Sequence, residues 1–248
     1  MLILQVMFNY KMTIQYDGTR YAGWQIQENA ATVQGVLTSS FEKIIHEKIN
    51  IIGSGRTDTG VHALGQTANF MVSQELDLYK FKYSVNAILP KDISIIDIEV
   101  VDENFHARFS AIKRSYVYFI SNQKSPFYEK YSYTVFSDFD IGNLNAISKI
   151  FIGLQDFASF SKSNPEVQNK MCEVYEARWR KQKNLAIFYI EANRFLYGMV
   201  RAIVGSILKA YSNGNAGNYL TNIFLQKDRN AAADAVPARG LFLYKVKY

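Results

Sequence analysis

An apolar run, Ile49-Asn50-Ile51-Ile52, leads into Gly53-Ser54-Gly55-Arg56-Thr57-Asp58-Thr59-Gly60-Val61-His62-Ala63, and a second run, Thr67-Ala68-Asn69-Phe70-Met71-Val72, leaves it. Gly53, Gly55 and Gly60 suit a turn or a close approach of backbone to a ligand. Arg56 and Asp58 are two residues apart, so in an extended segment they share one side. An acid displayed on a glycine-rich turn between two strands reads as a site. The same residues also make a hairpin turn with a surface ion pair. The stretch by itself leaves both readings open.

Outward from this turn, the pattern alternates between strand and helix. Residues 10–16, Tyr-Lys-Met-Thr-Ile-Gln-Tyr, alternate apolar and polar and read as a half-buried strand. Asp17-Gly18-Thr19 is a turn, and Tyr21-Ala22-Gly23-Trp24-Gln25 a loop with two large aromatics. Thr32 caps a helix on which Val33, Leu37, Phe41, Ile44 and Ile45 recur. Asp77 starts a second helix with Leu78, Phe81, Val85 and Ile88 on one face, ended by Leu89-Pro90, and 93–101 is an Ile- and Val-rich strand. The order strand, helix, strand, strand, helix, strand is that of a ferredoxin-like unit with helices on one face of an antiparallel sheet.

The later residues repeat this plan with longer connections. Strands are expected at 115–120, 175–179 and 185–190, with a basic turn at 180–183 and a closing strand over 240–246. Residues 125–137 read as an irregular Tyr-rich insertion. Helices are expected after Asp140, over 195–212 ending at Asn213-Gly214, and over 220–225. The expected fold class is therefore α+β: two ferredoxin-like subdomains, 10–103 and 104–248, sharing a continuous, mainly antiparallel sheet. A cleft between them is a common position for a site.

Composition narrows the function classes. Over 248 residues, 48% hydrophobic content supports a true core and argues against disorder. With 28 Lys+Arg against 22 Asp+Glu the net charge is +6, which leans towards a polyanionic partner. A single cysteine, Cys172, forms no internal disulfide, and a reducing, cytoplasmic setting follows most simply. No apolar run approaches the roughly 20 residues that span a bilayer. The apolar opening Met1-Leu2-Ile3-Leu4-Gln5-Val6-Met7-Phe8 lacks the basic region and cleavage site of a signal peptide. It reads as an extra strand end, or as an early start with Met7 or Met12 as the alternative.

The chemical motifs are tested by exclusion. The glycine turn lacks the Lys-Ser/Thr of a P-loop and is not Gly-x-Gly-x-x-Gly. His46, His62, His106 and Cys172 offer no ligand pairs at zinc spacing. Ser54 lies near Asp58 and His62, but no Gly-x-Ser-x-Gly elbow is present. His62 reads as a hydrogen-bonding member of a site wall, and Asp17, the one candidate for a second acid, reads better as a turn residue. What remains is one well-placed carboxylate with basic and aromatic residues. Arg108, Lys113 and Arg114 precede Tyr116; Arg178, Arg180, Lys181 and Lys183 share one hairpin; Arg194, Arg201, Arg229 and Arg239 follow. Singly each is a solvated charge; together with the Tyr and Trp loops they fit a surface for phosphates and unstacked bases. Arg201 stands apart, set between Met199-Val200 and Ile203-Val204 in the most apolar helix, where a buried guanidinium needs a partner.

These residues resemble the tRNA pseudouridine synthase A family over nearly the whole chain, from Tyr10 to Tyr248. The matching blocks are Tyr16-Asp17-Gly18 with Gly23-Trp24-Gln25; Gly55-Arg56-Thr57-Asp58-Thr59-Gly60-Val61-His62-Ala63 with Gly65-Gln66; Phe105-His106-Ala107-Arg108-Phe109-Ser110-Ala111; Arg114-Ser115-Tyr116-Val117-Tyr118; Met199-Val200-Arg201 with Val204-Gly205; and Gly240-Leu241-Phe242-Leu243. The resemblance implies an isomerase acting on uridines 38, 39 and 40 of the tRNA anticodon stem-loop. It implies that Asp58 is the essential catalytic aspartate, that Tyr116 stacks on the target base and helps with the proton at C5, and that Arg201 orients Asp58. Arg56, His62, Arg108 and Arg114 are then expected to contact substrate, with Tyr118 as the fallback for Tyr116. The resemblance further implies a homodimer that needs no metal or organic cofactor. Two departures concern tRNA contact: Glu28-Asn29-Ala30-Ala31 is acidic or neutral where the family often carries basic residues, and Lys170-Met171 stands where an Arg-Thr/Ile-like segment is expected.

Overall fold

The computed structural model describes residues 7–162 and 167–248; most of the apolar opening lies outside them. The fold is α+β with mostly antiparallel pairing, and the chain divides into two compact units. The first comprises residues up to Ile112 together with Leu243–Tyr248, and the second is Lys113–Phe242.

The first unit is built on β1 (Phe8–Tyr16), α1 (Val33–Ile45), the short β2 (Ile52–Gly53), β3 (His62–Val72), α2 (Leu78–Ile88) and β4 (Ile93–Val101). β1 lies between β4 and β3, antiparallel to both, and β2 pairs with β3. The alternation of β1 is the reason for the layer. Tyr10, Met12 and Ile14 are fully buried, and Tyr10 and Met12 stand opposite Phe70 and Ala68 of β3. Phe41 of α1 and Phe81 of α2 close on Phe70, with ring centroids 4.9 and 5.8 Å from it. Each such fully buried side chain is worth about 1.5–3 kcal/mol of transfer free energy. Thr32 and Asp77 cap the two helices as expected, accepting from Gly35 N and Lys80 N.

The boundary between the units differs from the expected 103/104, and the reason is a pair of buried amides. Asn9 and Asn69 are each 2% exposed. Asn9 Nδ2 donates to Asp102 O and Phe105 O at 3.0 and 2.9 Å. Asn69 Nδ2 donates to Asn9 Oδ1 at 3.0 Å, while Asn69 Oδ1 accepts from Ala107 N at 2.9 Å. Breaking any of these contacts would strand a buried polar group, so the 102–107 segment is tied to the first sheet. Tyr248 adds to the clamp, its hydroxyl donating to Ala107 O at 2.9 Å.

The second unit contains β5 (Lys113–Ser121), β6 (Tyr133–Thr134), α3 (Ile141–Ser148), β7 (Gly153–Asp156), β8 (Met171–Gln182), β9 (Leu185–Ala192), α4 (Met199–Asn213) and α5 (Ala216–Gln226). Its strand order is β5-β9-β8-β7, with β6 parallel to β5. The last strand, β10 (Leu241–Lys247), gives its first two residues to this unit and the rest to the first. Trp179 stacks near Phe188 at 4.8 Å and donates its indole N–H to Ser148 Oγ of α3 at 2.9 Å. Phe224 of α5 forms an aromatic cluster with Phe151, Phe157 and Phe160.

Four local expectations are corrected here. The long helix begins at Met199 rather than 195, because Gly198 takes a left-handed φ of 73° that no continuing helix tolerates. The basic turn narrows to Lys183-Asn184; Lys183 adopts φ 54°, while Arg180 and Lys181 belong to β8. The Tyr-rich insertion carries β6, whose two residues pair with the end of β5. A short strand, β7, is added where the sequence is too brief and too polar to show alternation.

Burial raises the thiol of Cys172 from its ordinary 9.0 to about 11. Below about pH 9 the thiol is protonated in both folded and unfolded chains, and its contribution is fully present. Between 9.0 and about 11 only the unfolded chain ionises, so stability falls as pH rises. A thiol-specific reagent at pH 8 should therefore leave the native protein unlabelled over minutes and titrate one thiol in denaturant.

Candidate active site

In the first unit the segment 53–62 is held from three sides. From the end of β1, the Tyr16 hydroxyl meets Thr57 Oγ1 at 2.8 Å. From the loop that follows, Trp24 N donates to Thr57 O at 3.1 Å and Gly60 N to Tyr21 O at 3.3 Å. From β3, Gln66 Nε2 donates to Gly55 O at 3.0 Å, and its Oε1 accepts from Ser54 Oγ at 2.7 Å. Within the segment, Val61 N donates to Asp58 O at 3.1 Å and closes the turn.

Two glycines make this approach possible. A Cβ on Gly18 would sit 2.0 Å from Val61 O, and one on Gly23 would sit 2.4 Å from Thr57 O. Gly23 also has φ +95°, a conformation costly for any side-chain-bearing residue. The blocks Tyr16-Asp17-Gly18 and Gly23-Trp24-Gln25 thus serve as the cradle of the Asp58 turn. Tyr21 is itself fixed, its hydroxyl donating to Asp92 Oδ1 at 2.7 Å; burial and then the Asp92 carboxylate push that hydroxyl up to about 12.

The expected residues now have places. Asp58 is half-buried at the head of the turn. Arg56 is exposed and forms no ion pair with Asp58 among the described residues, so the surface-ion-pair reading of this stretch fails. Ser54, 2% exposed, spends its hydroxyl on Gln66, which removes it as a nucleophile. His62 is fully buried, and its Nδ1 lies 3.0 Å from both Gly18 N and Asp17 Oδ1. It holds the 17–18 turn to β3. Asp17 caps the following 3-10 turn, accepting from Thr19 N at 2.9 Å, as a turn residue does. Arg108 is exposed over the Phe109 ring at 5.5 Å, in a turn whose N–H groups at 108 and 109 point to His106 Nδ1.

The other expected residues lie in the second unit. Tyr116 stands half-buried on β5 opposite Ile190, with the Phe195 ring edge-on at 5.0 Å. Tyr118 is fully buried and donates to Pro237 O at 2.8 Å, and burial drives its hydroxyl far above the ordinary tyrosine range. Arg201, in the first turn of α4, is half-buried and donates Nε–H to Val236 O at 2.7 Å. Arg114 donates Nη1–H to Asn193 O at 3.0 Å. The basic hairpin is partly self-neutralised, Arg178 pairing with Glu176 at 2.6 Å and Lys181 with Asp138 at 2.5 Å. Motif reading gave no role to Tyr16, Thr57 and Gln66, because a buried anchor leaves no mark distinct from ordinary core.

Comparison with known proteins bears on the same segments. A family model described as tRNA pseudouridine synthase matches residues 12–110 and 147–248. A protein of Caldicellulosiruptor saccharolyticus called tRNA pseudouridine synthase A is 40% identical over 244 residues, covering 98% of this chain and 100% of its own. Proteins of the same name are 37% identical in Thermoanaerobacter sp. (strain X514), at 98% and 100% coverage, and 38% identical in Buchnera aphidicola subsp. Schizaphis graminum, at 96% and 91%. Among solved structures, the archaeal box H/ACA sRNP Nop10-Cbf5 complex aligns at TM-score 0.37 and 11% identity, covering 81% of this chain and 43% of that one, a likeness too distant to carry an argument.

The cradle makes a stability prediction. Gly23→Ala should cost at least about 1–3 kcal/mol, from its backbone conformation and the clash with Thr57 O. Gly55→Ala, whose added Cβ meets nothing within 4 Å, should stay within about 0.5 kcal/mol of wild type. Urea unfolding midpoints of the two variants measure the difference.

Proposed function

Because the chain belongs to the tRNA pseudouridine synthase family, an isomerase family, we propose that Asp58 performs the conversion of uridine to pseudouridine at positions 38, 39 and 40 of the tRNA anticodon stem-loop. The observation that supports this assignment most is the anchoring of the Asp58 turn. Asp58 is a half-buried acid whose flanking carbonyls both accept backbone hydrogen bonds. Such pre-organisation is what a reacting carboxylate needs.

The reaction breaks N1–C1′, turns the detached uracil and joins C5 to C1′; C5 gives up its proton and N1 ends protonated, so the product is an isomer of the substrate. In one scheme the Asp58 carboxylate attacks C1′, and the ester is displaced when C5 bonds there. In the other it takes the C2′ proton, leaving a glycal that C5 then attacks as the proton returns. Both schemes use an ionised Asp58, and the atoms balance in each without a metal or an organic cofactor. Tyr116 stacks on the base through its half-buried ring and assists the loss of the C5 proton, and Arg201 orients the carboxylate of Asp58. A face-on aromatic surface holds a rotating base without directional bonds. The target uridine must leave its stack at a cost of a few kcal/mol. Contacts from Arg56, Arg108 and Arg114 to phosphates offset that cost. The enzyme acts as a homodimer in the cytoplasm.

Position-resolved mapping of pseudouridine on unmodified tRNA tests the assignment. Asp58→Asn should lower the rate by about 10²–10⁴-fold while leaving tRNA affinity within a few-fold of wild type. Product formation at the wild-type rate by that variant would sink the role of Asp58, and modification only outside 38–40 would sink the substrate assignment. If the wild type binds tRNA and makes no product, a binding-only homologue is the better reading. Arg56→Ala should weaken tRNA binding and flatten the slope of log K against log salt by about 1, as read from titrations at several salt concentrations.

A further inference from the structure

We infer that Tyr16, Thr57 and Gln66 are positioning residues for the isomerisation, holding the peptide that carries Asp58 through side-chain hydrogen bonds. The inference rests on the reading of Asp58 as the reacting carboxylate.

Three observations carry it. The pairing of β1 with β3 runs evenly to Ile14↔Gln66 and then shifts, so that Tyr16 lies opposite Ala63. Two steps along β1 therefore answer three along β3. An irregularity of this kind re-aims a side chain, and bulges are over-represented beside active sites. Here it delivers the Tyr16 hydroxyl to Thr57, the residue directly before Asp58. The contact is also dry: Tyr16 is 4%, Thr57 7% and Gln66 0% exposed. In such surroundings a hydrogen bond is stronger, and its loss is not made good by water. The third observation is the division of labour within the turn. The side chain of Thr57 is bonded to Tyr16, and its carbonyl to Trp24 N. Gln66 meanwhile holds Ser54 Oγ and Gly55 O at the other end. Thr57 O on Trp24 N and Asp58 O on Val61 N tether both peptides next to Asp58, and a shift of 1 Å at a reacting group can cost about 10²-fold in rate. A packing role alone would need the Tyr16 ring, which lies 6.1 Å from that of Trp24, but not its hydroxyl.

Hydroxyl deletion separates the two roles. Single-turnover rates, tRNA dissociation constants and urea midpoints are measured for Tyr16→Phe, Thr57→Val, the double variant and Thr57→Ser, with Asp58→Asn in parallel. Each single deletion should slow product formation by about 10- to 10²-fold with tRNA affinity within about twofold. Each also orphans a buried partner and lowers the urea midpoint. The double variant removes both polar groups, so its midpoint should recover relative to the singles while its rate stays low. Thr57→Ser, which keeps the hydroxyl, should restore the rate. The inference is overturned if Tyr16→Phe reacts within about twofold of wild type, or if the rate of the double variant recovers along with its stability. Should Asp58→Asn remain active, the reading of Asp58 fails first; should it be inactive while Tyr16→Phe is normal, only the positioning role fails.

Discussion

The hydrogen bond from Trp24 N to Thr57 O, made across a position where a Cβ has no room, is the constraint around which the first unit is arranged. It requires Gly23 at φ +95°, and it brings the loop after β1 down onto the turn before β3. Once the two loops touch, the remaining fits follow. Gly18 admits Val61 O, Tyr21 O takes up Gly60 N, and the Tyr16 hydroxyl reaches Thr57. The turn that displays Asp58 is thus a backbone assembly with few internal freedoms, set at the end of a rigid sheet.

Much of this was legible in the residues. The strand at 93–101 and the caps at Thr32 and Asp77 followed from periodicity and local hydrogen-bond chemistry, because an alternating strand and a capped amphipathic helix carry their signals within a few residues. The turn itself was also legible, since its glycines and its acid are adjacent in the chain. Long-range effects were not. Nothing near Asn9 announces that it will hold the backbone at 102 and 105. The burial of His62 likewise depends on Gly18, 44 positions earlier, whose N–H donates to its ring. Tyr116 and Tyr118 lie two apart on one strand and share Val117 as a neighbour, yet Tyr118 is fully buried with its hydroxyl on Pro237 O while Tyr116 is half-buried against Phe195.

The charges show a related separation. A net charge of +6 suggested a polyanionic partner, yet a good share of the basic residues are engaged locally. Arg178 and Lys181 are paired, Arg239 donates to Ser132 O, and Arg201 to Val236 O. Arg56, an exposed residue of the Asp58 turn, has no such engagement among the described residues. Composition reports the sum of these groups, whereas binding depends on those left over after the fold has used its own.

The Asn9–Asn69 clamp and the return of Leu243–Tyr248 have a consequence for the order in which the molecule is made. The first unit is discontinuous: residues up to Ile112 are translated early, but Tyr248, which bonds Ala107 O, and Lys247, whose carbonyl accepts from Ile112 N, come only after the whole of the second unit. During synthesis the outer edge of β3 and the 102–112 segment therefore wait without their partners while some 130 residues are added. At roughly 5–20 residues per second that interval is on the order of 10 seconds, long compared with the folding of most small domains. The nascent chain must pass through it with an open strand edge, the condition under which β-proteins are most exposed to wrong partners.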